Sequence, residues 1–204
     1  MNPQMQTEPG MLTVQELEQC RSYVKETGEA VMAATANLSE AQWNFKPAPD
    51  RWSIAEVLEH MVVIQELVLG PIREQLAQAP VSANRDYARI DAIIVNQFPV
   101  RTIRRQSPAA GQPTGRYTPD AALERLISNC GRLREYVEST PDLRLRVIES
   151  MPLKAVTNGE FEHMDGYQWV LGVAAHTERH TKQIREVQGH ADYPAFDRSR
   201  RSRL

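Results

Sequence analysis

Cysteine is scarce in this sequence. Cys20 and Cys130 are its only two, they lie far apart, and they form no CxxC pair, which excludes a disulfide framework and a zinc ribbon. No uncharged apolar run approaches the length of a membrane span. The N-terminus MNPQMQTEPG is polar and lacks the apolar core of a secretory signal. Charge of one sign is not in excess either. The formal net charge is −2, which gives no global electrostatic case for nucleic acid or an anionic membrane. A reducing cytoplasm is the expectation. There is no internal repeat and no convincing sheet pattern. What remains is ordinary globular material, 41% apolar and 25% charged over 204 residues, enough for one well-cored domain.

Four segments carry helical periodicity. The first runs from Thr13 to Leu38, with Val14, Leu17, Val24, Val31 and Leu38 at helical spacing. Trp43, Phe45 and Trp52 follow in a proline-bearing stretch and are expected to close one end of the core. The second helix starts at Ser53, where Glu56 three residues on completes a capping box. Its stripe reads Ile54, Val57, Leu58, Met61, Ile64, Val68, and Gly70-Pro71 is expected to kink or end it. Residues 80–117 form a long irregular connection, with a short helix in RDYARIDAIIVNQF and a loop in SPAAGQPTGRY. Thr118 caps the third helix and Pro119 occupies its first turn. The fourth begins near Asp165 and stops before Gly189, after a loop that holds an extended piece in LRLRVIESM. The expectation is an all-α four-helix bundle over residues 13–188, with a flexible N-terminus at 1–12 and a basic tail at 189–204.

The segment HTERH places His176 and His180 one turn apart on the same helix face. This is the spacing of zinc helices, but in HExxH proteases a glutamate directly follows the first histidine. Thr177 stands there, and Glu178 lies about 200° around the helix from His176. With Val173 at zero, His176 falls at about 300° and His180 at about 340°, on the same stripe as Trp169, Ile184 and Val187. Two stacked imidazoles on an apolar face leave several ring nitrogens to satisfy, and a metal ion answers that need. His60 sits about 60° from Val57 at the edge of the second helix's apolar arc. Facing His176 and His180, it would complete a three-nitrogen set with an open coordination position, as catalytic zinc sites have.

At these residues the sequence resembles the DinB-like superfamily. WSIAEVLEHM, residues 52–61, is similar to its W-S-x-x-E-x-L-x-H signature. HMDGYQWVLGVAAHTERHTKQI, residues 163–184, resembles the second signature, a glycine-bearing turn and a helix with H-x-x-x-H followed by Gln-Ile. The loop from Ser107 to Leu126 resembles the family's entry to its third helix. The resemblance implies a four-helix bundle, often a homodimer, with a divalent metal, zinc or nickel, held by His60, His176 and His180. His163, in the turn before the last helix, is a second-choice ligand. It also implies an activity of one of two kinds on a small-molecule substrate. The leading one is transfer that uses a low-molecular-weight thiol such as mycothiol or bacillithiol as cosubstrate. Its alternative is metal-dependent hydrolysis.

In the thiol-transfer reading no protein nucleophile is needed, and Arg101, Arg104, Arg105 or Arg116 would receive a carboxylate of the thiol. In the hydrolase reading Glu56, one turn before His60, is the candidate base, although its capping role already occupies it. A third reading is a non-catalytic metal-binding dimerisation module, distinguished by a side chain such as His163 closing the fourth position.

Overall fold

The computed structural model describes residues 10–82, 85–102 and 107–195. Most of its helices open on a short polar side chain that satisfies an orphan backbone donor, worth about 1 kcal/mol each. Thr13 with Glu16 opens α1, Val14–Thr35. Ser39 with Gln42 opens α2, Glu40–Asn44, and Ser53 with Glu56 opens α3, Ile54–Gln78. Asp86 caps α4, Tyr87–Gln97, and Thr118 caps α5, Pro119–Ser139. Ser150 caps α6, Met151–Val156. Asp165 with Gln168 opens α7, Gly166–Gln188.

The four periodic segments become α1, α3, α5 and α7. α1 ends at Thr35 rather than Leu38, because Ala36 turns extended and Asn37 takes a φ of 58°. α3 does not end at Pro71 but continues to Gln78. Leu67, whose carbonyl loses its helical donor to the proline, is exposed, as are Gly70 and Pro71, so solvent has access to the unpaired carbonyl. The expectation of no sheet needs one correction. Val147–Glu149 (β1) and His163–Asp165 (β2) pair antiparallel, with Val147 opposite Asp165 and Glu149 opposite His163.

Around the bundle, α7 packs against α1 and α3, and α5 packs against the same two helices from the other side. α1 and α3 therefore stand diagonally, although they are consecutive long helices in the chain. α4 lies against the outside of α7. The Arg144 side chain ties this end together. It is buried, reaching Glu16 on α1 at 2.6 Å, Asp91 on α4 at 2.6 Å and the α7 cap Asp165 at 3.2 Å. Its guanidinium also lies 4.1 Å from the Tyr167 ring centroid.

The core falls into two apolar clusters. One gathers Val24, Ile90, Ile94, Leu133 and the first half of α7 from Tyr167 to Ala175. The other gathers Val31, Ile54, Val57, Leu58, Met61, Leu126, Ile184 and Val187. Trp43, Phe45 and Trp52 pack against the second cluster as partly buried plugs. α7 crosses from one cluster to the other between residues 176 and 183. That interval carries a buried polar layer of Thr177, His180 and Thr181, with Gln65 of α3 donating to the Thr177 hydroxyl at 3.5 Å.

Candidate metal centre

Both histidines of α7 fall in this polar layer, and His60 of α3 meets them. One ring nitrogen from each of His60, His176 and His180 lies within 4.8 Å of the others. The ring centroids are 5.1 Å apart for His60 and His176, 4.6 Å for His60 and His180, and 4.3 Å for His176 and His180. His60 is buried at 3% exposure and His180 at 7%. His176 is half-buried, but its Nδ1 is shielded from solvent.

Groups behind two of the rings decide which nitrogen each of those presents. His60 Nδ1–H donates to the Gly111 carbonyl oxygen at 2.6 Å, which leaves Nε2 as a lone pair. Gln183 Oε1 accepts from Arg101 Nη1 at 3.0 Å. An arginine only donates, so this bond fixes which way the amide points. The same oxygen then accepts His180 Nδ1–H at 2.9 Å, again leaving Nε2 as the lone pair. Acceptors of this kind behind the ring are what orient metal-binding histidines and raise their basicity.

One distance fits a metal to this set. His60 Nε2 and His176 Nε2 stand 3.2 Å apart, and two imidazole nitrogens on one tetrahedral zinc stand roughly 3.3 Å apart at ordinary bond lengths. His176 Nδ1 is buried with no hydrogen-bond partner among the described residues; an ion on Nε2 leaves it so, and this ring lacks the acceptor that stands behind those of His60 and His180. The electrostatics agree. Burial lowers the His60 pKa against the pull of the Gly111 carbonyl. Burial, then His60 and Arg179, pushes His176 down to about 3. Burial, then His176 and His60, holds His180 well below its ordinary value. All three are neutral near pH 7, the form that ligates.

The other candidates lie elsewhere. Glu56 accepts the Ser53 N–H at 2.8 Å and pairs with Lys46 at 2.6 Å, so its carboxylate is committed to the helix cap. His163 is exposed on β2, with its carbonyl accepting from Arg85, and is not among the grouped ligands. Glu178, on the far side of α7, accepts the Tyr23 hydroxyl at 2.7 Å and pairs with Lys182. Arg101 is held by Glu186 at 2.7 Å, and Arg116 lies 3.6 Å from Glu59. Arg104, Arg105 and the basic tail from Arg198 lie outside the described residues. Burial raises Cys20 to about 12 and Cys130 to about 11, so neither thiol is a nucleophile near neutral pH. No helix among the described residues is long and apolar enough to cross a membrane.

Sequence reasoning assigned no role to Gly111 or to Gln183, although Gln183 is the glutamine of the Gln-Ile that follows the H-x-x-x-H. Gln183 carried a signal, one turn beyond His180 on the same helix. Gly111 carried none, since it reaches His60 across 51 positions of chain.

Comparison with known proteins agrees with this architecture. The solved structure of YfiT from Bacillus subtilis superposes with a TM-score of 0.57, covering 89% of this chain and 91% of that one at 12% identity. It is described as "a probable metal-dependent hydrolase with an unusual four-helix bundle topology". The uncharacterized protein YuaE of Bacillus subtilis (strain 168) is 22% identical over 152 residues, spanning 74% of this chain and 86% of YuaE. The model of the DinB superfamily matches residues 23–184, and the chain belongs to that superfamily.

Proposed function

We propose that this protein is a divalent-metal-dependent enzyme whose metal, zinc or nickel, is held by His60, His176 and His180. The observation that carries the reading is the pair of fixed Nδ1–H donors. With those protons committed to Gly111 and Gln183, the Nε2 lone pairs of His60 and His180 are left for an ion. A bound divalent metal would supply Lewis acidity and lower the pKa of a water. The chain's own residues keep the three rings neutral and orient those of His60 and His180. The Trp52 ring, 4.9 Å from that of His60, covers one side of the site.

Hydrolysis of a small molecule is the activity this arrangement supports best. Three nitrogen ligands leave a fourth position open to water, as in the three-histidine zinc site of carbonic anhydrase, and YfiT, of the same fold, is described as a probable metal-dependent hydrolase. Glu56 is not required as base, since the Ser53 cap and Lys46 engage it. The thiol-transfer reading has one observation in its favour. Both cysteines are buried with raised pKa, so a sulfur nucleophile would have to come from a cosubstrate. Against it, the proposed carboxylate anchors Arg101 and Arg116 have acidic partners of their own.

The test is turnover by protein loaded with zinc or nickel, on panels of carboxylic, amide and phosphate esters, and on a halonitrobenzene with cellular thiols. Activity that a chelator removes and His176→Ala lacks is the expected result. Metal-loaded protein inert on both panels would favour the non-catalytic metal-binding module.

A further inference from the structure

Glu59 directly precedes His60 on α3 and is buried at 2% exposure. A carboxylate so placed is costly unless its oxygens are fully bonded. Its bonds come from a single stretch of loop. Oε1 accepts the Thr114 N–H at 2.8 Å, the Thr114 hydroxyl at 3.1 Å and the Arg116 N–H at 3.3 Å. Oε2 accepts the Gly115 N–H at 2.9 Å. Gly115 has a φ of +75°, the left-handed conformation that turns successive N–H groups toward one anion.

The same loop supplies the Gly111 carbonyl that accepts His60 Nδ1–H. Gly111 is seated tightly, since a Cβ there would lie 2.8 Å from Ile64 Cδ1 and 2.8 Å from Ser107 Oγ. Among the described residues, Glu59 and His60 are the α3 side chains that hydrogen-bond to positions 107–116. One helix thus carries a histidine and, one residue earlier, the anchor of the loop that orients it. Without that anchor, positions 107–116 would keep the packing of Gly111 on Ile64 and, among the described residues, a single side-chain hydrogen bond to α3, the one to His60.

We propose that Glu59 is a positioning residue of the metal centre: by gripping residues 114–116 it holds the Gly111 carbonyl on His60 Nδ1 and so presents Nε2 to the ion. The inference rests on the metal reading given above. Glu59 touches neither ion nor substrate and acts through His60.

The test uses the full chain with Glu59→Ala and the milder Glu59→Gln, which carries the experiment if the alanine variant does not fold. Two quantities are read. One is the His60 Nδ1–H signal in imidazole ¹⁵N–¹H spectra of zinc-free protein, and the other is zinc affinity by competition with a chromophoric chelator. Loss of the signal, with zinc affinity falling roughly ten- to a hundredfold as for other groups behind metal ligands, is expected. In a His60→Ala background the same change should cost no further affinity. An intact signal with unchanged affinity overturns the assignment. So does an equal loss in the His60→Ala background, which would mean general loosening. Wild-type protein that shows the signal but binds no zinc overturns the metal reading itself, and the signal in the variants then separates that failure from a failure of Glu59 to orient His60.

Discussion

Acid should destabilise the metal-free protein through its buried histidines, and His176 gives the clearest case. Its folded pKa is about 3 against an ordinary 6.5. Between those values the unfolded chain binds a proton that the folded chain refuses. The sign follows directly: stability is full above pH 6.5 and falls as pH drops toward the folded value. At pH 5 the gap is about 1.5 units, or roughly 2 kcal/mol at 1.36 kcal/mol per unit. His176 keeps part of its surface exposed, and solvent screening reduces the figure to about 1 kcal/mol. Other groups titrate in the same range. Burial pushes Asp165 up to about 6 against the pull of Arg144, so Asp165 acts in the opposite direction, favouring the folded state as pH falls. The difference between wild type and His176→Leu cancels groups remote from the cluster, such as Asp165, and reads His176 together with its coupling to His180. Urea unfolding of both metal-free proteins at pH 8, 7, 6 and 5 should show the variant gaining on wild type by about 1 kcal/mol by pH 5. Two stability curves that stay parallel across the range would refute the reasoning.

Further perturbations probe the scaffold. Arg144→Leu leaves Glu16, Asp91 and Asp165 without their shared cation, and urea unfolding should register a loss of about 3–5 kcal/mol; a loss near zero would mean that the cluster relaxes freely. Gly166→Ala puts a methyl 2.5 Å from Leu143 Cδ2 at the first residue of α7 and should cost about 1–3 kcal/mol by the same assay. Glu56→Ala should lower stability by about 1 kcal/mol through loss of the α3 capping box while zinc affinity stays unchanged; lost affinity would place Glu56 at the metal. Cys20 and Cys130, with pKa raised to about 12 and about 11, should resist a disulfide reagent at pH 8 in native protein and react on unfolding.

The site was legible to the extent that it is helical. His176 and His180 could be phased against Trp169, Val173 and Ile184 because a helix fixes the angle between residues. His60 could be placed at the edge of an apolar arc for the same reason. The caps at Ser53, Thr118 and Asp165 are local signals, and all three helices start where those residues stand. The remainder depends on distant chain. Nothing near Gly111 announces that its carbonyl meets a histidine on α3, and Glu59 reads locally as one more polar residue beside a ligand. β2 has only three residues and takes its stability from Val147 and Ile148 across the pair, so its own composition carries little signal. α6 is one short turn with a proline in its first positions. The diagonal placement of α1 and α3 is a property of packing that periodicity does not encode.

Metal content tests the central claim most directly. Untagged protein, purified without chelators and supplied with zinc or nickel, should carry close to one metal per chain by mass spectrometry, and His176→Ala prepared beside it should carry none while keeping its helical spectrum. Folded wild-type protein that takes up neither metal would contradict the account, leaving His60, His176 and His180 as a buried polar layer and nothing more.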